Sequence, residues 1–211
     1  MTCTICESRK AKRHCPALRS EICAQCCGQG REETIDCPLD CVYLVEGREH
    51  ERRPGLSPGD FPYKEIRITD TFLRQNEDLL TAAARGVLDS AFTTAGAVDG
   101  DVREALDALG RTYKSLESGV YYETTPGSPV AAAIARQVQE RLQAFRNEQT
   151  QQAGMTRTRD TDVFGILVFL LRMAIDRDNG KKRGRSFLDF LRQHFPTAQP
   201  APASSSLIVP G

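Results

Sequence analysis

Phe164-Gly165-Ile166-Leu167-Val168-Phe169-Leu170-Leu171-Arg172-Met173-Ala174-Ile175 reads FGILVFLLRMAI, part of the longest apolar run in this 211-residue chain. Gly165 and Arg172 interrupt the run, and it is too short for the ~20 apolar residues a bilayer span needs. A helix that is apolar nearly all round belongs at the centre of a soluble core. The spacing therefore predicts a buried helix over about 161–177, with Asn179-Gly180 as its cap.

The neighbouring stretches supply its packing partners. Ser128-Pro129 has the N-cap and N1 chemistry of a helix start, and Ile134, Val138, Leu142 and Phe145 follow at helical spacing until Gly154. Upstream, Val102, Ala105, Leu106, Leu109, Tyr113 and Leu116 share one face of a helix over about 101–117, which ends at Ser118-Gly119. Ile68, Phe72, Leu79, Leu80, Ala83, Val87 and Ala91 predict an earlier helix, with Thr69 or Asp70 as N-cap and Gly96 near the stop. Ser186 opens a short last helix that Pro196 stops. No stretch shows sustained β alternation. The expectation for residues 61–196 is an all-α body, a four- to five-helix bundle.

The segment 51–60, with Pro54, Gly55, Pro58 and Gly59, has linker composition. Residues 197–211 form an Ala/Pro/Ser tail ending in Leu207-Ile208-Val209, which either straps onto the body or serves as a short motif for a partner.

Residues 1–50 are of another kind. All eight cysteines lie between Cys3 and Cys41. The N-terminus, MTCTICESRKAKRH, has no apolar signal region, so the chain reads as cytoplasmic, where thiols stay reduced. Disulfides are thus the weaker account of an even cysteine count, and adjacent Cys26 and Cys27 are poor mutual partners. The pattern is C-x2-C at Cys3/Cys6, a lone Cys15, C-x2-C at Cys23/Cys26, then Cys27, and C-x3-C at Cys37/Cys41. Sixteen residues separate Cys6 from Cys23, a zinc-site spacing.

Eight thiolates suffice for two closed tetrahedral sites, so two Zn2+ ions are expected in a small N-terminal two-zinc Cys-rich finger. Interleaving assigns Cys3, Cys6, Cys23 and Cys26 to the first zinc, and Cys15, Cys27, Cys37 and Cys41 to the second. It gives the doublet a reason, since side chains of neighbouring residues diverge and can serve different ions, with Gly28 as the release from a crowded turn. The alternative is a sequential split with Cys3, Cys6, Cys15 and Cys23 on one ion. His14, beside Cys15, is either a solvated histidine or a substitute ligand.

Over residues 3–41 the ligand order resembles the two-zinc cross-brace and treble-clef fingers of the HIT, MYND and B-box types. The doublet, the gap before Cys37 and the all-cysteine ligand set depart from those patterns. What the resemblance implies is a finger used to bind other proteins.

Charge separates the remaining function classes. Lys plus Arg and Asp plus Glu are 28 each, so no global field favours nucleic acid or an anionic membrane. Arg9, Lys10, Lys12 and Arg13 offset thiolate charge or contact phosphate, and Lys181, Lys182, Arg183 and Arg185 form a second basic cluster. No nucleophile motif, phosphate loop or paired metal-binding histidines appears, and His14, His50 and His194 lie in three separate segments. Tyr121-Tyr122-Glu123 reads as aromatic closure of the bundle end beside a solvated or Arg-paired acid. No catalytic residues are assigned. The sequence thus points to a non-enzymatic, zinc-stabilised protein-interaction adaptor; the alternative is a nucleic-acid-binding regulator working through 9–13 and 181–185.

Overall fold

The structure, a computed structural model, describes residues 1–50, 56–117, 119 and 122–196. Part of the linker stretch, Tyr121 and the Leu207-Ile208-Val209 tail lie outside the described residues. Among those described, the chain is mostly helical, with eight α-helices and a single two-stranded sheet. No helix among them is long and apolar enough to cross a membrane.

The N-terminal region holds strands β1 (Arg13–Cys15) and β2 (Ser20–Ile22), antiparallel with His14 opposite Glu21, then α1 (Ala24–Gly30) and α2 (Val42–Glu49). The hairpin is a feature that the sequence pattern does not announce, because three-residue strands are too short to alternate visibly. The body contains α3 (Asp70–Gln75), α4 (Glu77–Thr93), α5 (Asp99–Glu117), α6 (Pro129–Ala153), α7 (Asp160–Asp176) and α8 (Ser186–His194).

The body's caps follow from its sequence. Thr69 Oγ1 accepts from Phe72 N at 3.1 Å, and Ser128 Oγ accepts from Ala131 N at 3.3 Å. Gly154 ends α6 at φ 75°, in the left-handed region glycine tolerates best. The helix expected from Ile68 onward is broken at Asn76, whose side chain donates back to the Phe72 carbonyl at 3.0 Å. A side chain that bonds its own backbone competes with the helix ladder at that point.

Helix α7 is the hub. It packs on α5 and α4, while α6 packs on both α4 and α5. Val163, Phe164, Ile166, Leu167, Val168 and Leu170 are all at most 1% exposed. Each such side chain contributes roughly 1.5–3 kcal/mol on burial. Both interruptions of the apolar run are explained. A Cβ at Gly165 would lie 2.5 Å from Phe72 Cζ, so glycine admits the α3 aromatic. Arg172 donates to the carbonyls of Pro62, Tyr63 and Ile66, binding the segment that enters the body onto α7.

The N-terminal region is docked on the body through Glu32, which is 1% exposed. Its carboxylate accepts from Arg48 Nη2 at 2.8 Å, Asn179 Nδ2 at 2.8 Å and Arg185 N at 3.1 Å. Arg48 also donates to Asp189 Oδ2 at 2.6 Å, and Arg183 N donates to the Glu32 carbonyl at 2.7 Å. A buried carboxylate with three donors, one of them a guanidinium, meets the condition under which ionised groups tolerate burial.

Candidate metal centre

Cys3, Cys6, Cys23 and Cys26 come from three places: the N-terminal knuckle, the residue capping α1, and its first turn. Their sulfur atoms all lie within 4.8 Å of one another, with three of the residues buried and Cys6 half-buried. A tetrahedral zinc with Zn–S near ~2.3 Å sets its sulfurs about 3.8 Å apart, so modest contraction accommodates an ion. Four free thiols in one cluster fit a metal site.

The surroundings favour thiolate. Arg9 Nη1 approaches Cys23 Sγ at 3.6 Å and Cys26 Sγ at 4.0 Å, and Cys26 N donates to Cys23 Sγ at 3.4 Å. The Ser8 hydroxyl, with the backbone amides of Ser8 and Arg9, holds the Cys6 thiol down to about 5. The Cys26 amide, above all, lowers Cys23. Burial pushes Cys26 up to about 12, with the other three thiols adding to the rise. Four adjacent sulfurs cannot all ionise unaided, and a dication among them would reverse the conflict.

The doublet sits on a helix rather than in an extended turn. Cys26 and Cys27 are successive residues of α1, so their side chains diverge by about 100°. Gly28 is an ordinary helical residue there, with nothing within 4 Å of an added Cβ, and needs no special backbone freedom. Gly30 is the constrained position: a Cβ there would sit 2.8 Å from Ile35 Cδ1. The left-handed residues of this region are Glu7, Arg19 and Glu32.

Cys15, Cys27 and Cys37 are buried and Cys41 half-buried, in the same cluster as Ile22, Ile35 and Leu44. Among the described residues, the first quartet is the one gathered within 4.8 Å. Burial, above all, raises the Cys37 thiol; the Glu32 backbone works against the rise, and Cys41, Glu32 and Cys15 add to it. Arg13 Nη1 lies 3.4 Å from Cys27 Sγ, and its guanidinium stacks over the Tyr43 ring at 4.5 Å. His14 projects outward from the hairpin, with Nδ1 3.0 Å from Glu21 Oε1 and its side chain 63% exposed.

The basic clusters have specific neighbours. Arg9 and Arg13 face thiols, while Lys10 and Lys12 are exposed. Arg185 pairs with Asp36 at 2.7 Å and Arg183 with the same residue at 3.7 Å; Lys181 lies 3.9 Å from Glu33, and Lys182 is exposed. Sequence reasoning passed over Glu32, Asp36, Arg48, Asn179 and Asp189. The available signal was charge complementarity, since residues 21–51 carry eight acids against two arginines, facing an all-basic loop. Tyr122 is 68% exposed and closes no bundle end, and Glu123 beside it is exposed.

No known protein family, characterised relative or solved structure matches this chain.

Proposed function

We propose that the chain is a zinc-stabilised interaction adaptor, non-enzymatic, in which an N-terminal two-zinc finger is held on a bundle formed by α4 to α8. The observation that carries the reading is the gathering of four buried or half-buried thiols within 4.8 Å, with Arg9 turned toward two of them. Cys15, Cys27, Cys37 and Cys41 hold the second ion, with Arg13 offsetting charge there as Arg9 does at the first. A closed four-thiolate site supplies folding energy and leaves no position for substrate, which favours a structural role.

Support for a protein partner lies on the finger's surface. Among the described residues, five of the eight exposed large apolar side chains (Met1, Ile5, Leu18, Val42 and Val45) lie in the first 45 residues. Val42 and Val45 are three apart on α2, on one face, at 64% and 45% exposure. Apolar side chains exposed on a rigid module are the usual raw material of an interface core. The pairing of Arg183 and Arg185 with Asp36 weighs against a phosphate-binding surface at that loop.

The test is capture of partners by the intact, metal-loaded chain, after nuclease treatment, beside a Val42→Asp/Val45→Asp variant. The variant should keep its metal content and lose the captured protein. Retention of the same proteins by the variant, or loss of all binding on nuclease treatment, overturns the reading.

A further inference from the structure

A cavity of about 470 Å³ opens between α4 and α6, far in sequence from every cysteine. Arg85 of α4, Arg141 of α6 and Arg157 of the segment joining α6 to α7 line it, with Asp78 and Glu148 as the acids. Arg141 meets Glu148 at 3.7 Å, with the two side chains 44% and 54% exposed, which makes a loose pair. Among the described residues, no ion pair engages Arg85 or Arg157. The Arg85 Nε is sealed from solvent without a hydrogen-bond partner. That nitrogen is as closed to a ligand as to water, so half-buried Arg85 meets the cavity with the rest of its side chain.

The surrounding backbone is arranged around this concavity. Gly86 is buried within α4, and a Cβ there would lie 3.1 Å from Cγ and 3.2 Å from Cβ of Arg141. Glycine is unfavourable in a helix interior, so its presence has a packing reason: it lets the Arg141 stem lie against α4. Arg157 rides on an anchored loop, because Gln149 Oε1 accepts from Thr156 Oγ1 at 3.1 Å, Thr158 Oγ1 at 2.9 Å and Arg157 N at 3.3 Å. Ala82 and Phe145 supply apolar wall, and Met155, 66% exposed, stands at the rim.

We propose that this cavity is a binding site for a small organic carboxylate, its charged head accepting from Arg85 and Arg141 and its aliphatic body lying over Ala82 and Phe145. Guanidinium presents a planar fork that matches a carboxylate. Three arginines against two acids leave a lining charge of +1, which suits a monoanion better than a phosphate dianion. Arg157 closes the site from the loop side and adds a third guanidinium contact to the carboxylate, and Met155 covers the aliphatic end.

The experiment is a titration of the full, metal-loaded chain with hexanoate, read by calorimetry and by amide shifts, with hexan-1-ol and inorganic phosphate as parallel probes. Hexanoate should bind saturably and shift amides at 81–86 and 141–157, with both other probes at least about tenfold weaker. Arg85→Gln and Arg141→Gln should each weaken hexanoate about tenfold, the loss of one charge-assisted contact. Should either variant unfold, Arg157→Gln, on an exposed loop residue, carries the same expectation. Hexan-1-ol binding as tightly as hexanoate, phosphate binding as tightly, or arginine variants that leave the affinity unchanged would each overturn the assignment. Metal content is unaffected throughout, so this result stands or falls apart from the zinc reading.

Discussion

The N-terminal region and the helical body each bury an apolar cluster, but six of the nine buried residues in the N-terminal cluster are cysteines, with Ile22, Ile35 and Leu44 as the others. The body's cluster holds no cysteine and is built chiefly of Leu, Ile, Val, Phe and Ala on α4 to α8. Three aliphatic side chains cannot offset the entropy of ordering a segment of this length, whereas the body's core can. On the proposed reading, the N-terminal region folds around an ion and the body folds without one. The seam between them is polar, centred on Glu32 and Arg48 rather than on shared apolar packing.

Metal removal should have the largest effect. Structural zinc is worth ~10–16 kcal/mol of apparent binding energy in small fingers. Chelation should therefore unfold residues 1–50 while α4 to α8 persist. In hydrogen exchange, amides of β1, β2 and α1 should lose protection, and those of α7 should keep it. A chain truncated to begin at Asp60 should show helicity by circular dichroism that chelator does not alter. Loss of α7 protection on chelation would mean that the two clusters fold as one.

The cysteine doublet separates the two proposed sites of the N-terminal region. Cys26→Ser should release the ion shared with Cys3 and Cys6, and Cys27→Ser the ion shared with Cys37 and Cys41. Each variant should retain about one of two zinc ions, since a three-thiolate site is open to water and labile. Metal analysis with thiol alkylation reads this directly. If both variants expose the same cysteines, the interleaved pairing is wrong.

At the seam, Glu32→Ala leaves Arg48 half-stripped of partners, though Asp189 remains within 2.6 Å. Breaking a buried pair from one side costs ~3–5 kcal/mol. The effect should show as undocking rather than metal loss. Trypsin should cleave at Lys181, Lys182, Arg183 and Arg185 in the variant, at a rate well above wild type and with zinc content unchanged. Cleavage at the wild-type rate would show that the contacts left in the variant, those of Asp36 and Glu33 and the backbone bond from Arg183 N, hold the loop without the Glu32 carboxylate.

Much of the body was legible because its signals are local and redundant. Ser128-Pro129, Thr69 and Gly154 mark helix ends by chemistry that acts within four residues, and FGILVFLLRMAI can be buried only at a centre. The first cysteine quartet was legible from spacing, since two C-x2-C knuckles have few other uses. The seam was not. Glu32, Arg48, Asn179 and Asp189 are ordinary surface types at scattered positions, and only the tertiary fold makes one network of them across up to 147 residues of sequence separation. Gly165 and Gly28 show the same limit in reverse. The first interrupts a helix pattern yet is required by Phe72, and the second invites a conformational argument that its helical place does not need.

The smallest predicted effect tests whether the body's stability is its own. Ser128 caps α6 by accepting from Ala131 N at 3.3 Å, and its hydroxyl donates to Asp101 Oδ1 at 2.9 Å, tying the start of α6 to the first turn of α5. Ser128→Ala removes both contacts and should cost ~0.5–2 kcal/mol, the usual range for an N-cap. The α5–α6 contact belongs entirely to the body, so the loss should be the same with metal present and after chelation. Effects at sites without shared partners add to within about 0.5 kcal/mol. Denaturant melts of wild type and variant, each with and without chelator, form the complete cycle. A loss that grows by more than that margin when metal is removed would mean that the finger braces α6. The body would then lean on the ion-dependent region, and the contrast between the two clusters would be one of degree.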